Sequence, residues 1–250
     1  MPESRPRAHA KLTLSLKVVG RRSDGYHDID AVMVTVSEPH DSLVITPAAR
    51  TSIAVTGPFA DGVPTDDRNL VWRALDGLGV QAAVHITKGI PHGAGLGGGS
   101  ADAAAVLRSL GGGIDGAAAI GADVPFCLRG GAARVRGTGE LIEPIVLPAR
   151  WVVIATPPLH VATADVYAAW DELGGPHEGV NELEAAAFLV EPELRAFKDA
   201  VAAAAARDAC LAGSGSSFAV VFDEPDAARA AEARVRAAVG GWVWMSNTDG

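Results

Sequence analysis

The chain has 250 residues, carries 21 Lys and Arg against 30 Asp and Glu for a formal charge of -9, and is 48% hydrophobic and 20% charged. Those values exclude a mainly disordered chain and speak against a dedicated nucleic-acid binder, which needs a basic surface. Two distant cysteines, Cys127 and Cys210, exclude a disulfide scaffold or zinc knuckle; with a polar N-terminus and no apolar run near the roughly 18 residues of a membrane span, they predict a soluble, cytoplasmic protein.

Residues 8–19 alternate, with Leu12, Leu14, Leu16 and Val18 on one face and Lys11, Thr13, Ser15 and Lys17 on the other, which predicts a half-buried strand. Ser23-Asp24-Gly25 supplies a turn and residues 29–36 the returning strand. Further strands are predicted at 42–46, 52–56 and 82–88, with a helix over 69–78 behind Asp66 and Asp67 as N-terminal caps. A second helix covers 100–110 and another strand 150–156. After Pro157-Pro158 the spacing turns helical at 164–173, 182–190 and 193–207, then strand-like at 209–211 and 218–222, helical at 226–239 and extended at 242–245. The expected architecture is α+β in two lobes, divided as 1–150 and 151–250.

Glycine accounts for 29 of the 250 residues, about 12% against a usual 7%. It clusters at 93–99, 111–113, 130–139 and 213–215, which suggests close backbone approach to a ligand. The run Pro91-His92-Gly93-Ala94-Gly95-Leu96-Gly97-Gly98-Gly99-Ser100-Ala101 follows a strand and enters a helix. Successive glycine N–H groups and the positive end of the helix make an anion site there. Ser100 stands where its hydroxyl could cap the helix or meet a phosphate-bound Mg²⁺. A Walker loop is excluded because no Gly-Lys-Ser/Thr closes the run. Gly93, Gly95 and Gly98 fit the dinucleotide spacing, but several strands precede them and no acid ends a following Val/Ile strand, as that fold requires.

The loop Pro91–Ala101, with Ala10-Lys11-Leu12-Thr13-Leu14 before it and Leu211-Ala212-Gly213-Ser214-Gly215-Ser216-Ser217 after it, resembles the three motifs of the GHMP small-molecule kinases. Arg22-Ser23-Asp24-Gly25-Tyr26-His27 and Gly121-Ala122-Asp123-Val124-Pro125 narrow the resemblance to the 4-diphosphocytidyl-2-C-methyl-D-erythritol kinases, over residues of about 8 to 222. The resemblance implies a two-lobed GHMP kinase fold, with an N-terminal lobe like ribosomal protein S5 domain 2 and a C-terminal ferredoxin-like α/β sandwich. It implies ATP with Mg²⁺ as cosubstrate and a cytidyl diphosphate small molecule as acceptor, phosphorylated on its 2-hydroxyl for the non-mevalonate isoprenoid route. Neither nucleic acid nor membrane is expected as a partner, and oligomeric state is left open.

Carried onto this chain, the resemblance makes Asp123 the catalytic acid-base and Lys11 the group that orients it and the acceptor hydroxyl. Read alone, Asp123 is equally a helix cap, and Lys11 an exposed strand lysine. ATP would contact Asn69, Pro91, Gly93, Ala94, Gly95, Leu96, Gly97, Gly98, Gly99, Ser100 and Ala101; Asn69 could equally cap its helix. The acceptor would contact Thr13, Tyr26, His27, Gly213, Ser214, Gly215 and Ser216, although Tyr26 could simply cover a hairpin and 213–216 could be an ordinary connection. Asn181 resembles a helix-opening position of the family and fits capping as well. Thr13, Met33 and Ala101 stand where relatives often carry Asn, Phe and Ser, and the segment from Leu110 to Asp123 is short. Another GHMP kinase acting on homoserine or a mevalonate derivative, and a non-catalytic nucleotide-binding relative, are the alternatives.

Overall fold

The computed structural model describes residues 2–248. The first sheet contains β1 (Arg7–Arg21), β2 (His27–Pro47), β3 (Ser52–Thr56), β4 (Ala82–Thr87), β5 (Ala132–Gly137) and β6 (Leu141–Pro144). Its order is β3-β4-β2-β5-β6, with β1 also paired to β2. The β1–β2 turn forms as its residues dictate: the Tyr26 N–H donates to Asp24 Oδ1 at 3.1 Å, and Gly25 sits at φ +89°, where a side chain would be strained.

The strands expected at 29–36 and 42–46 are one continuous β2. The ladder to β1 jumps from His9↔His40 to Lys11↔Thr35, so Val36–Pro39 forms a bulge. Pro39 there loses no ladder hydrogen bond, which is how a strand carries a proline. β2 is shared, pairing with β5 through Ile29–Val34 and with β4 through Ser42–Pro47. β5 and β6 go beyond the strands read from the sequence, because only Ala133 and Val135 of β5 turn to the core while Arg134 and Arg136 point outward.

Helices α1 (Leu70–Gly77), α2 (Gly98–Leu110), α3 (Ala117–Ile120) and α4 (Val124–Arg129) complete this lobe. Asn69, rather than Asp66 or Asp67, caps α1: its Oδ1 accepts from the Val71 N–H at 2.9 Å, while Asp66 is held by Arg68. α2 buries Ala101, Ala103, Ala104, Ala105, Val106 and Leu107. These mostly small side chains seat it closely on β1 and β2, an approach a bulkier face would prevent.

The second sheet is built from β7 (Trp151–Thr156), β8 (Cys210–Leu211), β9 (Phe218–Phe222) and β10 (Trp242–Asn247), in the antiparallel order β10-β7-β9-β8. α5 (Thr163–Leu173), α6 (Glu184–Val190) and α7 (Glu193–Ala205) lie between β7 and β8, and α8 (Pro225–Ala238) between β9 and β10. Strand order and helix placement give the ferredoxin-like sandwich that the resemblance implies. No helix among the described residues is long and apolar enough to cross a membrane.

The lobes share backbone. The Leu16 N–H donates to the Val180 carbonyl at 2.9 Å and the Glu182 N–H to the Leu16 carbonyl at 3.0 Å. Buried Asn181 sends its Nδ2 to the carbonyls of Leu211 at 2.8 Å and Gly213 at 2.7 Å, and its Oδ1 accepts from the Leu183 N–H at 3.0 Å. It therefore caps a turn and also anchors the third motif beside β1.

Candidate active site

Between the lobes lies a cavity of about 920 Å³, lined by the glycine loop and by an aromatic group of Tyr26, His27 and Tyr167. Three glycines shape the loop: Gly93, Gly95 and Gly97 adopt φ of +67°, +76° and +69°, the left-handed region that favours residues without a Cβ. Gly97 is also the N-cap of α2, which has no side-chain cap. The first internal bond of the helix is Ala101 N–H to the Gly97 carbonyl. The N–H groups of Gly98, Gly99 and Ser100 thus have no partner among the described residues and form the donor cluster that an anion requires.

Of the four glycine clusters, 93–99 and 213–215 line this cavity with their glycines, and 130–139 reaches it through Thr138. Gly111 closes α2 as its left-handed C-cap, and Gly130 ends α4, so these two glycines serve chain geometry.

Lys11 is 5% exposed, contrary to the solvated strand lysine its alternation predicts, because α2 and the third motif cover that face of β1. Its Nζ lies 3.3 Å from Asp123 Oδ2 and 3.2 Å from Thr13 Oγ1. A Cβ on Gly97 would stand 2.8 Å from Lys11 Cγ, and one on Gly213 would stand 3.3 Å from Lys11 Nζ. Glycines of the second and third motifs therefore make the channel through which this lysine reaches the cavity.

Asp123 occupies the N-cap position of α4 without making a side-chain cap hydrogen bond. Its carboxylate turns instead toward Lys11, so it does not serve as the cap of that helix. Pro125, in the first turn of α4, starts the helix without help from the aspartate.

The remaining sequence candidates divide. Thr13, Tyr26, His27, Asn69, Pro91, Gly93, Ala94, Gly95, Gly97, Gly98, Gly99, Ser100, Gly213 and Ser214 all line the cavity. Leu96 and Ala101 are buried in the core and shape the loop from behind. Gly215 and Ser216 are also behind the lining; the Ser216 hydroxyl donates to the Leu159 carbonyl at 2.7 Å. Asn69 spends both amide groups locally, since its Nδ2 donates to the Pro64 carbonyl at 2.7 Å.

Sequence reasoning missed two groups. The first is a buried ionic cluster, in which Lys88 Nζ is bonded to Asp41 and, at 2.8 Å, to Asp102 Oδ2. Asp41 Oδ1 accepts from the N–H groups of Gly89 and Ile90 at 2.6 and 2.8 Å, just ahead of the glycine loop. Burial pushes the Asp102 carboxyl up to about 8, against the opposing pull of Lys88. An Asp flanked by alanines inside α2 was the available signal. The second is a face of α5, with Tyr167, Trp170 and Asp171 around His27. Burial, and then the charge of Asp123, raise the Tyr167 phenol above its usual range.

The two loops meet without side chains. A Cβ on Gly95 would lie 2.0 Å from the Ala212 carbonyl oxygen, and the left-handed backbone alone costs a substituted residue about 1–2 kcal/mol. Gly95→Ala is expected to lower the melting temperature and to weaken ATP binding, read as a smaller ATP-induced rise in that temperature. An unchanged ATP response would place the ATP contacts away from this loop.

A donor-rich helix start facing an ammonium–carboxylate pair across a two-lobed cleft defines a GHMP-type small-molecule kinase. Residues 69–131 match the family model "GHMP kinases N terminal domain", and residues 169–240 match "GHMP kinases C terminal". A 4-diphosphocytidyl-2-C-methyl-D-erythritol kinase of Cereibacter sphaeroides (strain ATCC 17025 / ATH 2.4.3) is 40% identical over 95% of this chain and 96% of its own length. One from Jannaschia sp. (strain CCS1) is 46% identical over 68% of this chain, and the match spans 64% of that relative's length. The crystal structure of a 4-(cytidine 5'-diphospho)-2C-methyl-D-erythritol kinase superposes with a TM-score of 0.80 at 34% identity, covering 99% of this chain and 100% of that one. The chain belongs to the 4-diphosphocytidyl-2-C-methyl-D-erythritol kinase family.

Proposed function

We propose that this chain transfers the γ-phosphoryl group of ATP to the 2-hydroxyl of 4-diphosphocytidyl-2-C-methyl-D-erythritol, in the cytoplasm and with Mg²⁺. The observation that carries the reading is the 3.3 Å Lys11–Asp123 pair, set in one cavity with free helix N–H donors and an aromatic group. The N–H groups of residues 98–100 bind the ATP phosphates, and the absence of side chains on the loop lets the oxygens reach the backbone. Asp123 accepts the proton of the attacking hydroxyl, and Lys11 holds the carboxylate in place and faces the charge that builds on the transferring group. Tyr26 and Tyr167 offer ring faces to a nucleobase, and His27 a hydrogen-bonding edge.

The fit of Mg²⁺ follows from the donor set. Among the described residues, no three His, Cys, Asp or Glu side chains converge as a ligand cage, so the ion would be held chiefly by the phosphates, with the Ser100 hydroxyl as a protein oxygen. When bound it neutralises phosphate charge. Two unpaired thiols, Cys127 and Cys210, support a reducing compartment.

The test measures ADP release from purified protein with Mg-ATP, in the presence and absence of 4-diphosphocytidyl-2-C-methyl-D-erythritol. Release that depends on this acceptor is expected. Equal release with homoserine or mevalonate, or ATP binding without transfer to any of the three alcohols, would overturn the assignment.

A further inference from the structure

His27 belongs to β2 of the first lobe, yet what holds its ring comes from one helix of the second. Its Nε2 lies 2.8 Å from Asp171 Oδ1. Its ring stacks on Tyr167 at 4.9 Å with an interplanar angle of 20°, and meets Trp170 edge-on at 5.7 Å and 80°. Tyr167, Trp170 and Asp171 are spaced i, i+3 and i+4, so they form a single face of α5. That face is itself fixed. Trp170 packs on Gly175, where a Cβ would stand 2.3 Å from the indole, and the second oxygen of Asp171 lies 3.4 Å from Arg21 Nη1. The ring is therefore set on one face, one edge and one nitrogen. Nδ1 has no hydrogen-bond partner among the described residues, and His27 lines the cavity.

A carboxylate accepts hydrogen bonds and cannot donate one when ionised, so the neutral imidazole beside it carries its proton on Nε2 and its lone pair on Nδ1. We infer that Asp171 is a positioning residue for base recognition: by fixing the Nε2–H form of His27, it makes Nδ1 an acceptor suited to the exocyclic amine of a cytosine and mismatched to the O4 oxygen of a uracil. This rests on the reading that the aromatic group of Tyr26, His27 and Tyr167 takes the base of the acceptor. Neither the resemblance nor the motifs assign a role to Asp171, which lies 144 residues from His27.

Asp171 lines the cavity as His27 does, so action through His27 is read from an effect on the acceptor that spares ATP. The experiment compares wild type, Asp171→Ala and Asp171→Asn with the cytidyl acceptor and its uridyl analogue. It is read beside imidazole ¹⁵N shifts of His27, which report the tautomer without any substrate. Asp171→Ala is expected to raise the acceptor KM about tenfold, the scale of one lost hydrogen bond. ATP KM and kcat should stay near the wild-type values, and preference for cytidyl over uridyl should fall. Asp171→Asn, whose amide oxygen can still accept from Nε2–H, is expected to recover most of the preference. Parallel changes in ATP KM and acceptor KM, undiminished preference in Asp171→Ala, or a wild-type His27 protonated on Nδ1 would each overturn the inference. A wild type that turns over neither acceptor would overturn the functional reading and this inference with it, while leaving the Nε2–H tautomer to stand or fall by its spectrum.

Discussion

Asp123→Asn is expected to lower turnover at least about 100-fold, the lower end of what a positioned general base contributes, while leaving the melting temperature and the KM for ATP close to those of the parent. The expectation comes from the way α4 begins. A capping aspartate would be missed by the fold, but Asp123 makes no cap hydrogen bond, so an isosteric amide costs the helix little. What disappears is the proton acceptor and the negative partner of Lys11, 3.3 Å away. Steady-state kinetics on protein with an unchanged melting curve makes the comparison. Turnover within a few fold of wild type would remove Asp123 from proton transfer and leave positioning by Lys11 and the helix start as the source of catalysis.

Replacing Lys88 by methionine is expected to destabilise the fold by about 3–5 kcal/mol, the scale on which a buried ionic group loses its partner. The two carboxylates it joins, Asp41 and Asp102, are buried with it. Asp41 additionally receives the N–H groups of Gly89 and Ile90, so the loss acts on the backbone leading into the glycine loop. Denaturant unfolding measures the effect. Adding Asp41→Asn to Lys88→Met should restore part of the lost stability by removing the buried carboxylate left without its ammonium; a double variant no more stable than the single one would show that packing rather than charge sets the cost.

The same cluster gives a pH dependence with a definite sign. Asp102 is buried with its Oδ1 lacking a hydrogen-bond partner among the described residues, and its carboxyl rises from the ordinary 3.8 to about 8. Between those values the folded chain holds a proton that the unfolded chain has released. The contribution of this group to stability therefore falls as pH rises through that window and is fully present only below its lower edge. In Asp102→Asn that slope should be absent.

Much of this was legible in the chain. Strand β1 declared itself by alternation, the glycine loop by its position between strand and helix, and the Lys11–Asp123 pair by the motifs around each residue. β5 stayed hidden because a strand with two inward apolar residues between glycines looks like a loop. The continuity of β2 was hidden by Pro39, which reads as a break until the bulge opposite β1 is seen. The Lys88 cluster is assembled from residues 47 and 14 positions away, a separation at which no local pattern survives. The face of α5 was readable as a face, but what it faces is a property of how the lobes meet.

Asn181 and the strand it flanks bear on how far this protein can be treated as modular. Leu16 exchanges backbone hydrogen bonds with Val180 and Glu182, five residues along β1 from Lys11. A chimera that grafts another kinase's second half onto residues 1–150 would thus replace the neighbour against which that strand is ruled, and with it the carbonyls of Leu211 and Gly213 that Asn181 gathers. Acceptor specificity in this architecture is more safely redrawn one helix face at a time than by exchanging whole lobes.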